Sequence, residues 1–147
     1  MPLPFNKTKN YSKKLVPSGK YHVPIFDDND ADWDTKFRAS ISSDHDCTMA
    51  IDKKWPKLPP LQYPNRSDFP GDDDAVFSAR VADYTRERND LKARIVTWDK
   101  GNRALWGHLH SAIIAGNDTD SINLASAEQY KFKGRRLYIA LLIKLHD

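Results

Sequence analysis

With 147 residues, 39% of them apolar and 29% charged, the chain has material for one core of ordinary size. Its one cysteine excludes an intramolecular disulfide and any zinc site built from several cysteines of this chain. The net charge of +3 conceals a segregation: Lys7, Lys9, Lys13, Lys14 and Lys20 fall in a stretch without an acid, and Asp27, Asp28, Asp30, Asp32 and Asp34 follow directly.

No segment approaches the ~20 apolar residues of a membrane-spanning helix, the most hydrophobic being Leu137 to Leu145. The first residues, Met1-Pro-Leu-Pro-Phe, lack the apolar stretch of a signal peptide, so a cytoplasmic, intracellular protein is expected.

In chain order, residues 1–24 carry Pro2, Pro4, Pro17, Gly19 and Pro24 among polar residues, which predicts a basic, flexible arm without regular structure. Such an arm suits contact with phosphates or an acidic protein face. A first helix is expected to begin among Asp30, Asp32 and Asp34, where carboxylates satisfy free N–H groups and complement the helix dipole. Trp33, Phe37 and Ile41 then recur every four residues and define one buried face.

A strap at about 52–71 follows, with Pro56, Pro59, Pro60, Pro64 and Pro70 forbidding a helix. Trp55, Leu58, Leu61 and Tyr63 are its expected anchors, and Pro56 to Leu61 also reads as a polyproline ligand for an SH3-type partner. Asp72, Asp73 and Asp74 open a long amphipathic helix in which Phe77, Tyr84, Leu91 and Trp98 recur every seven residues, with Val81 and Ile95 between them. Gly101 reads as a kink or break. Beyond it Leu105, Leu109, Ala112 and Ile113 share a face, and Gly116-Asn117-Asp118 stops the helix. A short helix is expected within 121–129, capped by Ser121 or Ser126, and a last one carries Phe132, Leu137, Tyr138, Leu141, Leu142 and Leu145. Strand signals are scarce.

The candidate chemistry is thin. His108 and His110 stand two apart, which on a helix splays their rings to nearly opposite sides. Asp28-Asn29-Asp30-Ala31-Asp32 begins like a calcium loop, but Trp33 and Ala39 stand where that loop needs Gly and Glu. Ser18-Gly19-Lys20 is a fragment of a phosphate loop, lacking its first glycine and with Tyr21 in place of Ser or Thr. Cys47 between His45 and Asp46 mimics a nucleophile beside its base, yet sequence neighbours rarely face one another. No catalytic, cofactor-binding or metal residue is assigned, and no enzyme is expected.

Three segments carry a resemblance. Phe26 to Ile41, with Trp33 and Phe37, resembles the start of the Gag polyprotein of copia-type LTR retrotransposons. Trp98-Asp99-Lys100 running through Leu105 and Trp106 to Leu109 and Ile113 is similar to that family's later helix. Gly134-Arg135-Arg136-Leu137-Tyr138 to Leu142 is similar to the helix after it. The resemblance implies a capsid lobe held together by Phe26, Trp33, Phe37, Trp98, Leu105, Leu109, Tyr138 and Leu141. It implies lobes that assemble with copies of themselves around RNA through exposed sides of the 72–98 and 102–115 helices. The strap, Gly101, and the lack of a counterpart here to the family's second lobe and zinc knuckle depart from that pattern.

The fold expected is all-α, a small helical bundle over residues 25–147 with an extended, partly disordered arm at 1–24. The core comprises Phe26, Trp33, Phe37, Ile41, Phe77, Tyr84, Leu91, Trp98, Leu105, Leu109, Tyr138 and Leu141. The function expected is a self-associating, Gag-like structural protein with non-specific RNA contacts from Lys7, Lys9, Lys13, Lys14, Lys131, Lys133, Arg135 and Arg136. A small helical nucleic-acid-binding protein and a helical interaction adaptor are the alternatives. No cofactor, membrane or small-molecule partner is expected.

Overall fold

A computed structural model describes residues 15–53, 56 and 61–146. Among them are two strands, β1 (Leu15–Ser18) and β2 (Tyr21–Pro24), and five α-helices, α1 (Trp33–Ser40), α2 (His45–Asp52), α3 (Asp74–Gly116), α4 (Thr119–Ala127) and α5 (Gly134–His146). One turn of 3-10 helix, Arg66–Asp68, precedes α3. The chain divides into two compact units, residues 1–54 with 99–147 and residues 55–98.

The protein is therefore mostly helical, but all-α is corrected by the antiparallel hairpin within the expected arm. Leu15 pairs with Pro24, Val16 with Val23, Pro17 with His22 and Ser18 with Tyr21, leaving Gly19 and Lys20 as a two-residue turn. Gly19 has φ +59, the left-handed conformation that such hairpin turns require. The prolines are compatible because each strand has one neighbour, so a missing N–H can face away from the ladder. Val23 is fully buried in the core rather than carried on a free arm. Lys7, Lys9, Lys13 and Lys14 lie outside the described residues, as do Trp55, Leu58, Pro59 and Pro60 of the strap.

The first unit is organised by aromatic stacking. Phe26 meets the Trp33 ring edge-on at 4.9 Å, Trp33 stacks on Phe37 at 4.8 Å, and Phe37 lies 6.4 Å from Tyr138. Such ring pairs contribute about 0.5–1.5 kcal/mol each beyond the area they bury. Trp33 Nε1 donates to Pro24 O at 3.2 Å, so the indole fills the core without stranding its polar atom. Ile41, Cys47, Ala50, Leu105, Leu109, Ile113, Leu137 and Leu141 complete the same cluster.

The 43-residue α3 passes through Gly101 without a break. A side chain at Gly101 would place Cβ 2.0 Å from Asp46 O, and one at Gly134 would place it 2.2 Å from Asn102 O. Gly101 is thus a point of backbone approach between α2 and α3, and the helix runs through it instead of breaking there. At the other end α3 stops at Gly116 as anticipated, and Asn117 takes φ +57. The short helix that follows starts at Thr119 with Asp118 as its N-cap, ahead of Ser121 and Ser126.

In the second unit the heptad stripe is less buried than expected. Phe77, Tyr84 and Leu91, read as core, are half-buried, whereas Trp98 is buried. The strap supplies part of their cover: Tyr63 meets Tyr84 edge-on at 5.3 Å, and Arg66 lies 4.9 Å above the Phe77 ring. Arg80 sits 3.9 Å over Phe69 and bonds to Asp72 at 2.5 Å, tying the strap's end to the first turns of α3.

Candidate functional site

Four polar side chains from separate parts of the chain meet inside the first unit. Asp44 is the N-cap of α2, accepting from Cys47 N at 3.2 Å through Oδ1. Cap geometry holds Cys47 in the first turn of α2, where its thiol is fully buried. From α3, buried His108 turns Nε2 toward Asp44 Oδ2 at 3.5 Å. On the opposite side of the ring, Nδ1 lies 2.6 Å from the hydroxyl of buried Ser18, the last residue of β1. Tyr21 closes over the imidazole edge-on at 5.4 Å. The ligating atoms of Asp44, Cys47 and His108 all lie within 4.8 Å of one another.

Burial dominates the electrostatics here. It pushes the Cys47 thiol up to about 12, with the Asp44 carboxylate adding to the effect. It also lowers His108, against the opposing pull of Asp44 toward the charged form. An uncharged thiol and imidazole are therefore the favoured forms, and Cys47 has none of the acidity of an activated nucleophile.

A second polar network joins α1 to α5. Tyr138 donates its hydroxyl proton to Asp34 and accepts from Arg38 Nε at 2.8 Å, while Arg38 also reaches Asp52 at 3.1 Å. A third fixes the start of α4: Lys144 and the Ser121 hydroxyl each lie 2.6 Å from Asp118 Oδ2. These partners hold the Asp118 carboxyl down at about 2, Lys144 contributing most.

The C-terminal basic residues do not form one interface. Arg135 donates through Nη1 to Ala50 O at 3.1 Å and to Ile51 O, terminating α2, while its backbone N–H donates to Asn102 Oδ1 at 2.7 Å. Arg136 is exposed and stands 3.6 Å from Glu128. Lys131 is exposed and Lys133 is half-buried. Of the four described candidates for nucleic-acid contact, Arg135 is committed to the fold.

Of the core residues carried by the resemblance, Phe26, Trp33, Phe37, Leu105, Leu109, Tyr138 and Leu141 share one cluster, whereas Trp98, though buried, lies outside it. The meeting of Asp44, Cys47 and His108 escaped the sequence reading, which compared His108 with His110 and Cys47 with its immediate neighbours. The available signal was Asp44 three residues before Cys47, a cap spacing that puts both at one helix start. Nothing local in the sequence brings in His108.

Among the described residues, no helix is long and apolar enough to cross a membrane. No family model, curated protein or solved structure matches this chain.

Proposed function

We propose that this is a structural, self-associating protein of the Gag-capsid type, intracellular, that contacts RNA non-specifically and catalyses no reaction. The observation that carries the reading is that Phe26, Trp33, Phe37, Leu105, Leu109, Tyr138 and Leu141, drawn from all three segments on which the Gag resemblance rests, meet in one core. Surface chemistry supports it as well. Ile139 and Ile143 expose 44% and 59% of their surface on one side of α5, and Val96 exposes 66% on α3. Beside Ile143 a shallow groove of about 430 Å³ is lined by Asn123, Leu124, Ala140 and Lys144. Exposed aliphatic side chains on helix faces suit helix-to-helix assembly contacts, which need no catalytic pocket. The lysines at 7, 9, 13 and 14, with Lys131, supply charge for phosphate contacts.

The test is sedimentation velocity with electron microscopy on the full chain, across a salt series and with short RNA. Discrete oligomers or ordered particles are expected, and Ile143→Asp or Val96→Asp shifts them toward monomer without loss of helicity. A strict monomer under every condition overturns self-association. If that monomer binds RNA with steep salt dependence, the basic-arm nucleic-acid-binding reading replaces it.

A further inference from the structure

We propose that Asp44, Cys47 and His108 form a binding site for one zinc ion, which pins the start of α2 to the middle of α3. The three side chains offer a thiolate sulfur, an imidazole nitrogen and a carboxylate oxygen, the donor set that zinc favours over magnesium or calcium. Tetrahedral zinc with bonds of about 2.0–2.3 Å keeps its ligand atoms about 3.3–3.8 Å apart. Here all three lie within 4.8 Å of one another, so binding draws them about 1 Å closer.

The surroundings prepare each donor. Asp44 uses Oδ1 to cap α2, which leaves Oδ2 facing His108 Nε2. In the tautomer whose Nδ1–H donates to the Ser18 hydroxyl, 2.6 Å away, Nε2 keeps a lone pair on the side of Asp44 Oδ2, 3.5 Å away. An orienting partner on the far ring nitrogen is the usual support of a metal-bound histidine. On binding, Cys47 Sγ releases its proton to solvent and bonds to the metal, and a water molecule takes the fourth position. The Asp44 side chain is 21% exposed and gives the ion its way in. Three protein donors with water in the fourth position form an open ligand set, not the closed four-ligand set of a purely structural zinc, and the ion would link the start of α2 to α3. It is independent of the self-association proposed above.

The bland alternative is a chain of hydrogen bonds in which Ser18 donates to Nδ1 and Nε2–H donates to Asp44, with the thiol a small apolar filler. Cobalt(II) distinguishes the two on the untagged, metal-stripped full chain. One equivalent of cobalt should produce a thiolate-to-metal charge-transfer band and visible absorption of tetrahedral intensity, both removed by adding zinc. The chain has one cysteine, so a thiolate band reports Cys47. The thermal midpoint should also rise with the logarithm of free zinc. Cys47→Ala and His108→Gln should abolish the band and the zinc-dependent rise, and Asp44→Asn, which keeps the cap, should weaken cobalt binding at least tenfold. Circular dichroism checks that each variant is folded, and the wild-type titration stands even if one is not. No band and no zinc-dependent midpoint in the wild type overturns the proposal, as does a band that survives in folded His108→Gln.

Discussion

Replacing Gly101 by alanine adds one methyl group to the inside of a helix, a change that by helix propensity alone stabilises by about 1 kcal/mol. The structure predicts the opposite sign. The new Cβ would stand 2.0 Å from Asp46 O and 2.5 Å from the Asp46 carbonyl carbon, where ordinary contact begins near 3.4 Å. Both obstacles are backbone, so no side-chain rotation relieves them, and the start of α2 must retreat. That movement strains the contacts of Cys47, Ala50 and Ile51, all buried. Overpacking of this kind costs about 1–3 kcal/mol and sometimes more. Because both clashing atoms are backbone the cost belongs at the upper end, about 3 kcal/mol, and with the gain in propensity subtracted Gly101→Ala should destabilise by roughly 2 kcal/mol. Gly107, on the same helix, has nothing within 4 Å of its virtual Cβ and supplies the control. Gly107→Ala should stabilise by up to about 1 kcal/mol. Urea denaturation followed by circular dichroism and fluorescence should separate the two midpoints by roughly 1–2 M, taking a slope of about 2 kcal/mol per molar. If Gly101→Ala matches or exceeds Gly107→Ala in stability, α2 does not press on α3 at this point and the account of Gly101 is wrong.

Asp118, held near 2 by Lys144 and Ser121, contributes stability that is fully present above the ordinary carboxylate range near pH 4 and lost as pH falls through about 2. Acid unfolding curves of the wild type and Asp118→Asn should therefore differ at neutral pH, draw together below about pH 4 and meet only below about pH 2, and a constant gap down to pH 2 would contradict this. Tyr138 is shifted upward by burial and by Asp34, so its contribution is whole below about pH 10 and declines above it. Tyr138→Phe should cost about 1–2 kcal/mol in a thermal or urea melt at pH 7, with a difference from wild type that narrows in alkali. Arg135→Ala should lower stability by about 1.5–3 kcal/mol, with lysine a partial substitute, because the guanidinium donates to Ala50 and Ile51 carbonyls at once. In RNA titrations, Lys131→Ala should reduce the salt slope while Arg135→Lys leaves it unchanged.

Periodicity carried most of the helical lobe. Trp33, Phe37 and Ile41 at intervals of four, and Leu105, Leu109, Ala112 and Ile113 on α3, are legible because an amphipathic helix writes its buried face into local spacing. The hairpin was illegible for a specific reason: Pro17 and Pro24 read as breakers, although a two-stranded ribbon leaves outward positions that need no donor. Gly19-Lys20 between Val16 and Val23 was the signal that could have outweighed them. Gly101 was misread because a glycine that admits a neighbouring backbone looks, in one dimension, like a glycine that ends a helix. The heptad residues Phe77, Tyr84 and Leu91 were rightly placed on one face, but spacing does not say how completely a face is covered. Asp44, Cys47 and His108 escaped because their meeting is a tertiary event across 61 residues, invisible to any local pattern.

The order in which the ribosome delivers the core follows from its discontinuous construction. Trp33 and Phe37 are made first, whereas Tyr138 and Leu141, against which that cluster closes, follow about a hundred residues later. At about 5–20 residues per second, the early aromatics wait on the order of 5–20 s for their final neighbours. During that interval the earlier segment has an unfilled apolar face. A nascent chain interrupted before Gly134 leaves Trp33, Phe37 and Ile41 without Leu137, Tyr138 and Leu141, and becomes a substrate for chaperones and proteases.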